Sequence, residues 1–168
     1  MKVRDHDPKL PRMDPVMPMR VRTAMWGLVT FGLAVLLITM WPTPVDRGMH
    51  GVLKDVFDVL HRHGVMPWFG YTDLERLANV AMFVPVGFFF ALLLSGPRRW
   101  LALFLAPAAS VLIEISQLLL LPQRFATFAD VVANSLGGWI GVGIAALFMH
   151  VLHARDRERA LLARRLEV

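Results

Sequence analysis

The chain has 168 residues, enough for one domain. Charged residues make up 18% of it and hydrophobic ones 56%, with a mean hydropathy of +0.52. Seventeen of the 31 charges lie in residues 1–22 and 153–168, leaving 14 for the 130 residues between. A middle so poor in charge excludes disorder and an ordinary soluble globule, and the absence of cysteine excludes a disulfide scaffold. The composition is that of an integral membrane protein.

Residues 1–22 form a basic tail with six Lys and Arg. A first apolar run follows at 23–41. Its long basic lead and the Met40-Trp41-Pro42 sequence fit an uncleaved span better than a signal peptide. The loop 42–76 carries Val52, Leu53, Val56, Phe57 and Leu60 on one helical face, with Lys54, Asp55, Asp58 and Arg62 elsewhere. This predicts a short amphipathic helix lying on the membrane surface. The aromatics of Pro67-Trp68-Phe69-Gly70-Tyr71 suit an interfacial belt. His50, His61 and His63 share this loop, but a metal site is the weaker reading, because His61-x-His63 would diverge on a helix. Thr72-x-x-Glu75 has capping-box spacing and predicts a helix start just before the second apolar run, 77–95.

Two more runs complete the set, at 101–121 and 131–152. All four are 19 to 22 residues long. At about 1.5 Å per residue they match a hydrocarbon core of about 30 Å. The first two hold no charged residue, the third only Glu114, and the fourth only His150 near its end. The predicted fold is an all-α, integral membrane four-helix bundle with a short extracytoplasmic amphipathic helix. It comprises a tail at 1–22, a four-span domain at 23–152 and a tail at 153–168. Lys and Arg crowd both tails and the 95–100 turn, which places both termini in the cytoplasm. The same asymmetry accounts for the pI of about 10.7 without any nucleic-acid partner.

Polar side chains inside the spans are costly and usually face protein or water. Here they are Asn79, Glu114, Gln117, Asp130 and Asn134, with Arg124 in the short loop 122–130. Glu114 and Gln117 are i, i+3, with Ser110 one turn behind. Asp130 and Asn134 are i, i+4. Counted from the span ends, all fall in the outer half of the bilayer, about 10 Å down for Glu114 and about 6 Å for Asn134. The expectation is a polar cluster from three helices, at one level and opening outward. Singly, most of these residues read as interhelical hydrogen bonds, Asp130 as an N-cap and Arg124 as a snorkelling cation. Glu114 is the exception, because a lone buried carboxyl needs a partner, a proton or water.

Ala133, Gly137, Gly141 and Ala145 recur at four-residue spacing beside Gly138, a stripe that lets helix backbones approach closely. Packing against a neighbouring span and a homodimer seam through the fourth span are the competing uses. Pro85 in the second span frees a carbonyl near Val80–Ala81.

Asn79-x-x-x-Phe83-x-Pro85-x-Gly87-Phe88 resembles the second-helix motif of VanZ-like membrane proteins. Ile113-Glu114-x-x-Gln117, Arg124 and Asp130-x-x-x-Asn134-x-x-Gly137-Gly138-x-x-Gly141 resemble the rest of that family's signature, over about residues 27–148. Thr127 departs from it, standing where many relatives have an acidic or other polar group. The resemblance implies a bacterial plasma-membrane protein, in a family whose name member is associated with low-level resistance to teicoplanin-type glycopeptides. Its implied role is an accessory envelope protein whose outer cluster binds a membrane lipid or lipid-linked precursor. Two alternatives stay open: an intramembrane enzyme with Glu114 as acid or base and Arg124 on a phosphate, and a small lipid or solute transporter. Binding rather than catalysis is favoured, since no nucleophile motif, metal triad or phosphate-cradling loop is present. No cofactor or metal is called for.

Overall fold

A computed structural model of the protein describes residues 19–41, 48, 50–94, 96–122 and 127–166. In chain order these form α1 (Met19–Thr39), α2 (His50–Arg62), α3 (Tyr71–Leu93), a 3-10 turn (Gly96–Leu101), α4 (Ala102–Leu120) and α5 (Phe128–Leu166). Four of the helices, all but α2, are long and apolar enough to cross a membrane. The bundle is all-α among the described residues, as the apolar runs require.

Three boundaries differ from the sequence reading. The second span begins at Tyr71, and its N-cap is Gly70 rather than Thr72. Asp73 Oδ2 accepts from the Gly70 N–H at 2.9 Å, so the acid that closes the first turn is Asp73, not Glu75. The fourth span begins at Phe128, three residues before the predicted start, which puts Asp130 inside the first turn instead of at the cap. At its other end α5 continues to Leu166, 14 residues beyond the predicted end and about 21 Å farther at the helical rise. The residues past 152 are strong helix formers such as Ala, Leu, Arg and Glu, and no Gly or Pro interrupts them.

The surface helix α2 lies where the amphipathic pattern puts it. Gly64, at φ +71°, ends it: the Val65 N–H reaches the Leu60 carbonyl at 2.9 Å and the Gly64 N–H the His61 carbonyl at 3.0 Å. A side chain there would be strained, so glycine is required. Two imidazoles of the loop serve the backbone. His61 Nε2 donates to the Phe69 carbonyl at 2.9 Å and His63 Nδ1 to the Val59 carbonyl at 2.8 Å. Phe69 packs on Phe57, tying the loop back to α2.

Helix α3 is central, touching α1, α4 and α5, and its most extensive partner is α5. The small residues explain why. A Cβ on Gly137 would collide with the Val80 carbonyl oxygen, one on Gly141 with the Val84 carbonyl oxygen, and one on Gly87 with the Gly138 carbonyl oxygen. The glycine stripe therefore packs backbone on backbone against α3 within one chain. On one side of the membrane plane a core of Ala24, Ala91, Ala102, Ala145 and Met149 forms beneath Phe88, Phe89 and Phe90. Nearer α2, Phe83 is enclosed by Val35, Val86 and Ile113. Leu37, Leu112, Leu118, Leu119 and Leu147 stay exposed and form the band that meets lipid.

Candidate functional site

The intramembrane polar residues come together in two tiers rather than at one level. The outer tier is the start of α5 against the first turns of α3. Thr127 is the N-cap: its Oγ1 accepts from the Asp130 N–H at 3.2 Å and donates to Asp130 Oδ2 at 2.6 Å. Asp130 Oδ1 accepts from Asn79 Nδ2 at 2.9 Å. The carboxylate thus closes its own helix turn and holds α3 with its second oxygen. Its position in the first turn of α5 also suits the positive end of the helix dipole. Thr127 works here as a cap.

The inner tier is buried. Asn134, one turn below Asp130 and only 3% exposed, donates from Nδ2 to Ser110 Oγ at 3.0 Å. Ser110, Glu114 and Gln117 lie on one face of α4 at i, i+4 and i+7, all turned inward with Ala106 and Ile113. Glu114 is 9% exposed and Ser110 fully buried. Asn134 Oδ1 is a buried acceptor without a hydrogen-bond partner among the described residues. The cost of such an orphan is about 1–3 kcal/mol.

Gln117 brings in a helix that the sequence reading left out. Its Nε2 donates to the Thr39 carbonyl at 2.9 Å, while the Thr39 hydroxyl turns back to the Val35 carbonyl at 2.7 Å. Thr39 ends α1, where carbonyls lack helical donors, and a buried side-chain amide supplies one. All four spans therefore contribute, α1 through its C-terminus. The available signal was the end of an apolar helix, which must find a donor in a medium without water. Ser110, set one turn from Glu114 by spacing alone, is a full member of the cluster.

Arg124, predicted to face this region, lies outside the described residues. Pro85, Gly87, Gly137, Gly138 and Gly141 do not belong to the polar cluster; Gly87, Gly137 and Gly141 set how closely α3 and α5 approach, and a Cβ on Gly138 would collide with Ala106 of α4. Two open grooves flank the bundle, one of about 260 Å³ between α1, α3 and α4 and one of about 710 Å³ between α3 and α5. Neither is lined by Glu114, Gln117 or Asn134. Among the described residues, the inner tier is buried and lies beneath the half-buried Asn79–Asp130 rim.

Chemically, the inner tier offers a carboxyl, an amide acceptor and a hydroxyl in low dielectric, a set suited to binding a donor or a proton. Comparison with protein families matches residues 26–149 to the family described as VanZ/LLP1. No curated protein and no solved structure matches the chain.

Proposed function

The chain belongs to the VanZ/LLP1 family of membrane proteins, and from that premise we propose that it binds a lipid or lipid-linked precursor of the bacterial envelope and thereby alters susceptibility to teicoplanin-type glycopeptides. The observation that carries this reading is the inner tier. A carboxyl, Glu114, is buried together with Asn134, whose Oδ1 has no partner among the described residues. Buried acceptors in a structural cluster are nearly always satisfied, so an orphan one calls for an explanation. A cluster that works on a ligand keeps an acceptor for it.

In this reading the protein lies in the plasma membrane, with both termini in the cytoplasm and α2 outside. The support is the tail charge: six Lys and Arg in residues 1–22 and five in residues 153–168. Arg124, in the short loop on the α2 side, is assigned to the phosphate of the ligand.

The test is Glu114→Gln, which keeps shape and hydrogen bonding but removes the charge. The expected result is protein of near wild-type thermal stability that no longer changes glycopeptide susceptibility in cells. Arg124→Gln should behave alike. Well-folded Glu114→Gln protein with full effect on susceptibility would make the carboxyl structural and end this reading.

A further inference from the structure

The groove of about 710 Å³ is separate from the polar cluster and lies along the seam of α3 and α5. One wall is the i, i+3, i+4, i+7 set from Asp73 to Val80, and the other is the same set from Ala129 to Leu136. Two helices presenting matched faces leave a slot that runs along their axes for about 10 Å. Its inner end is where the helices touch, at Val80 and Gly137. Its outer end is roofed by the loop that carries Trp68, which is 75% exposed.

The lining has a direction. Among the described residues, the lining below the rim is apolar, and the only charged lining residues, Asp73 and Arg76, sit within the first turns of α3. They are not an equal pair. Asp73 Oδ2 is committed to the Gly70 N–H, and Arg76 Nη1 reaches Asp73 Oδ1 only at 3.5 Å. The Arg76 side chain is 52% exposed, and a guanidinium has five N–H donors, so it retains capacity for a second anion. At the membrane surface the anion at that height is a lipid phosphate.

We propose that this slot is a binding site for an anionic phospholipid of the leaflet on the α2 side, with one acyl chain between α3 and α5 and the phosphate on Arg76. Water does not fill an apolar slot at this depth, and a lipid chain has the length and chemistry to do so. Trp68 covers the junction of chain and headgroup, where an indole is favoured. The inference goes beyond the reading above: it concerns a second lipid site, in a groove that Glu114, Gln117 and Asn134 do not line.

The experiment uses the full chain in nanodiscs with phospholipids that carry a photoactivatable diazirine on the acyl chain, and reads labelled peptides by mass spectrometry. Phosphatidylglycerol and phosphatidylcholine probes are compared at equal mole fraction. The exposed face of α1, with Leu33 and Leu37, is the reference for ordinary lipid contact. Groove peptides of α3 and α5 should be labelled about fivefold more by the anionic probe, the factor that one interfacial arginine gives. Arg76→Gln should bring that ratio to the α1 value. Val132→Trp, which fills the slot from an exposed position, should lower groove labelling by both probes. Equal labelling in the wild type, a preference that survives Arg76→Gln, or unchanged labelling in Val132→Trp would each overturn the proposal. No antibiotic and no change at Glu114 enters this test, so its failure is distinct from failure of the susceptibility reading.

Discussion

Trp139 Nε1 donates to the Leu103 carbonyl at 2.9 Å, joining α5 to the start of α4. Leu103 lies four residues before Pro107, which has no N–H to give it. The indole supplies the bond that the proline removes. In hydrocarbon, where water is absent, the carbonyl has few other choices.

Trp139→Phe should therefore destabilise the protein in detergent by about 1 kcal/mol. Pro107→Ala restores the helical donor to Leu103. In that background Trp139→Phe should cost far less. A double-mutant cycle on thermal unfolding measures the coupling, and additive effects would show that the two residues act independently.

Glycine positions in α5 should separate sharply. Gly137→Ala and Gly141→Ala place a methyl against the backbone of α3, which cannot move aside as a side chain can. Each should cost about 1–3 kcal/mol or more. A Cβ on Gly143 meets nothing within 4 Å, so Gly143→Ala should be neutral or stabilising by up to about 1 kcal/mol. The order of apparent melting temperatures is the readout. Equal losses at all three positions would mean that helix flexibility, not packing on α3, sets the effect.

The start of α5 allows a graded test. Thr127→Ala removes the cap and should cost about 1 kcal/mol, while Thr127→Ser should keep most of it. Asp130→Asn still accepts from Asn79 and should be mild. Asp130→Ala strands both the Asn79 amide and the Thr127 hydroxyl, and should cost the most. If Asp130→Ala proved no worse than Thr127→Ala, the contact with α3 would contribute nothing.

Orientation is open to direct labelling, because the chain has no cysteine of its own. A single cysteine at position 62 or 125 should react with an impermeant maleimide in intact cells, and one at position 98 should not. Labelling at 98 with silence at 62 would reverse the proposed topology.

The four spans, the surface helix and the identity of the polar residues are legible in the sequence because each rests on local periodicity or composition. A run of apolar residues long enough to cross a bilayer has almost no alternative but a helix, since every buried backbone group must bond within the segment. The motifs from Asn79 to Gly141 likewise mark a family that residues 26–149 match.

What the sequence could not determine is which partner each group takes. Gln117 lies 78 residues from the Thr39 carbonyl that it satisfies, and Asn79 lies 51 from Asp130. No local pattern encodes such pairs. They follow from α3 lying at the centre, where three glycines let backbones meet. The helix ends differ for another reason: both caps are local contacts three residues apart, Gly70 with Asp73 and Thr127 with Asp130, and Thr72 and Asp130 offered competing starts within the same few residues. The depth of the polar groups was estimated along separate helices, each counted from its own end. The Ser110–Asn134 contact pairs α4 and α5 in a register that such counting does not give, and among the described residues the polar groups fall in two tiers.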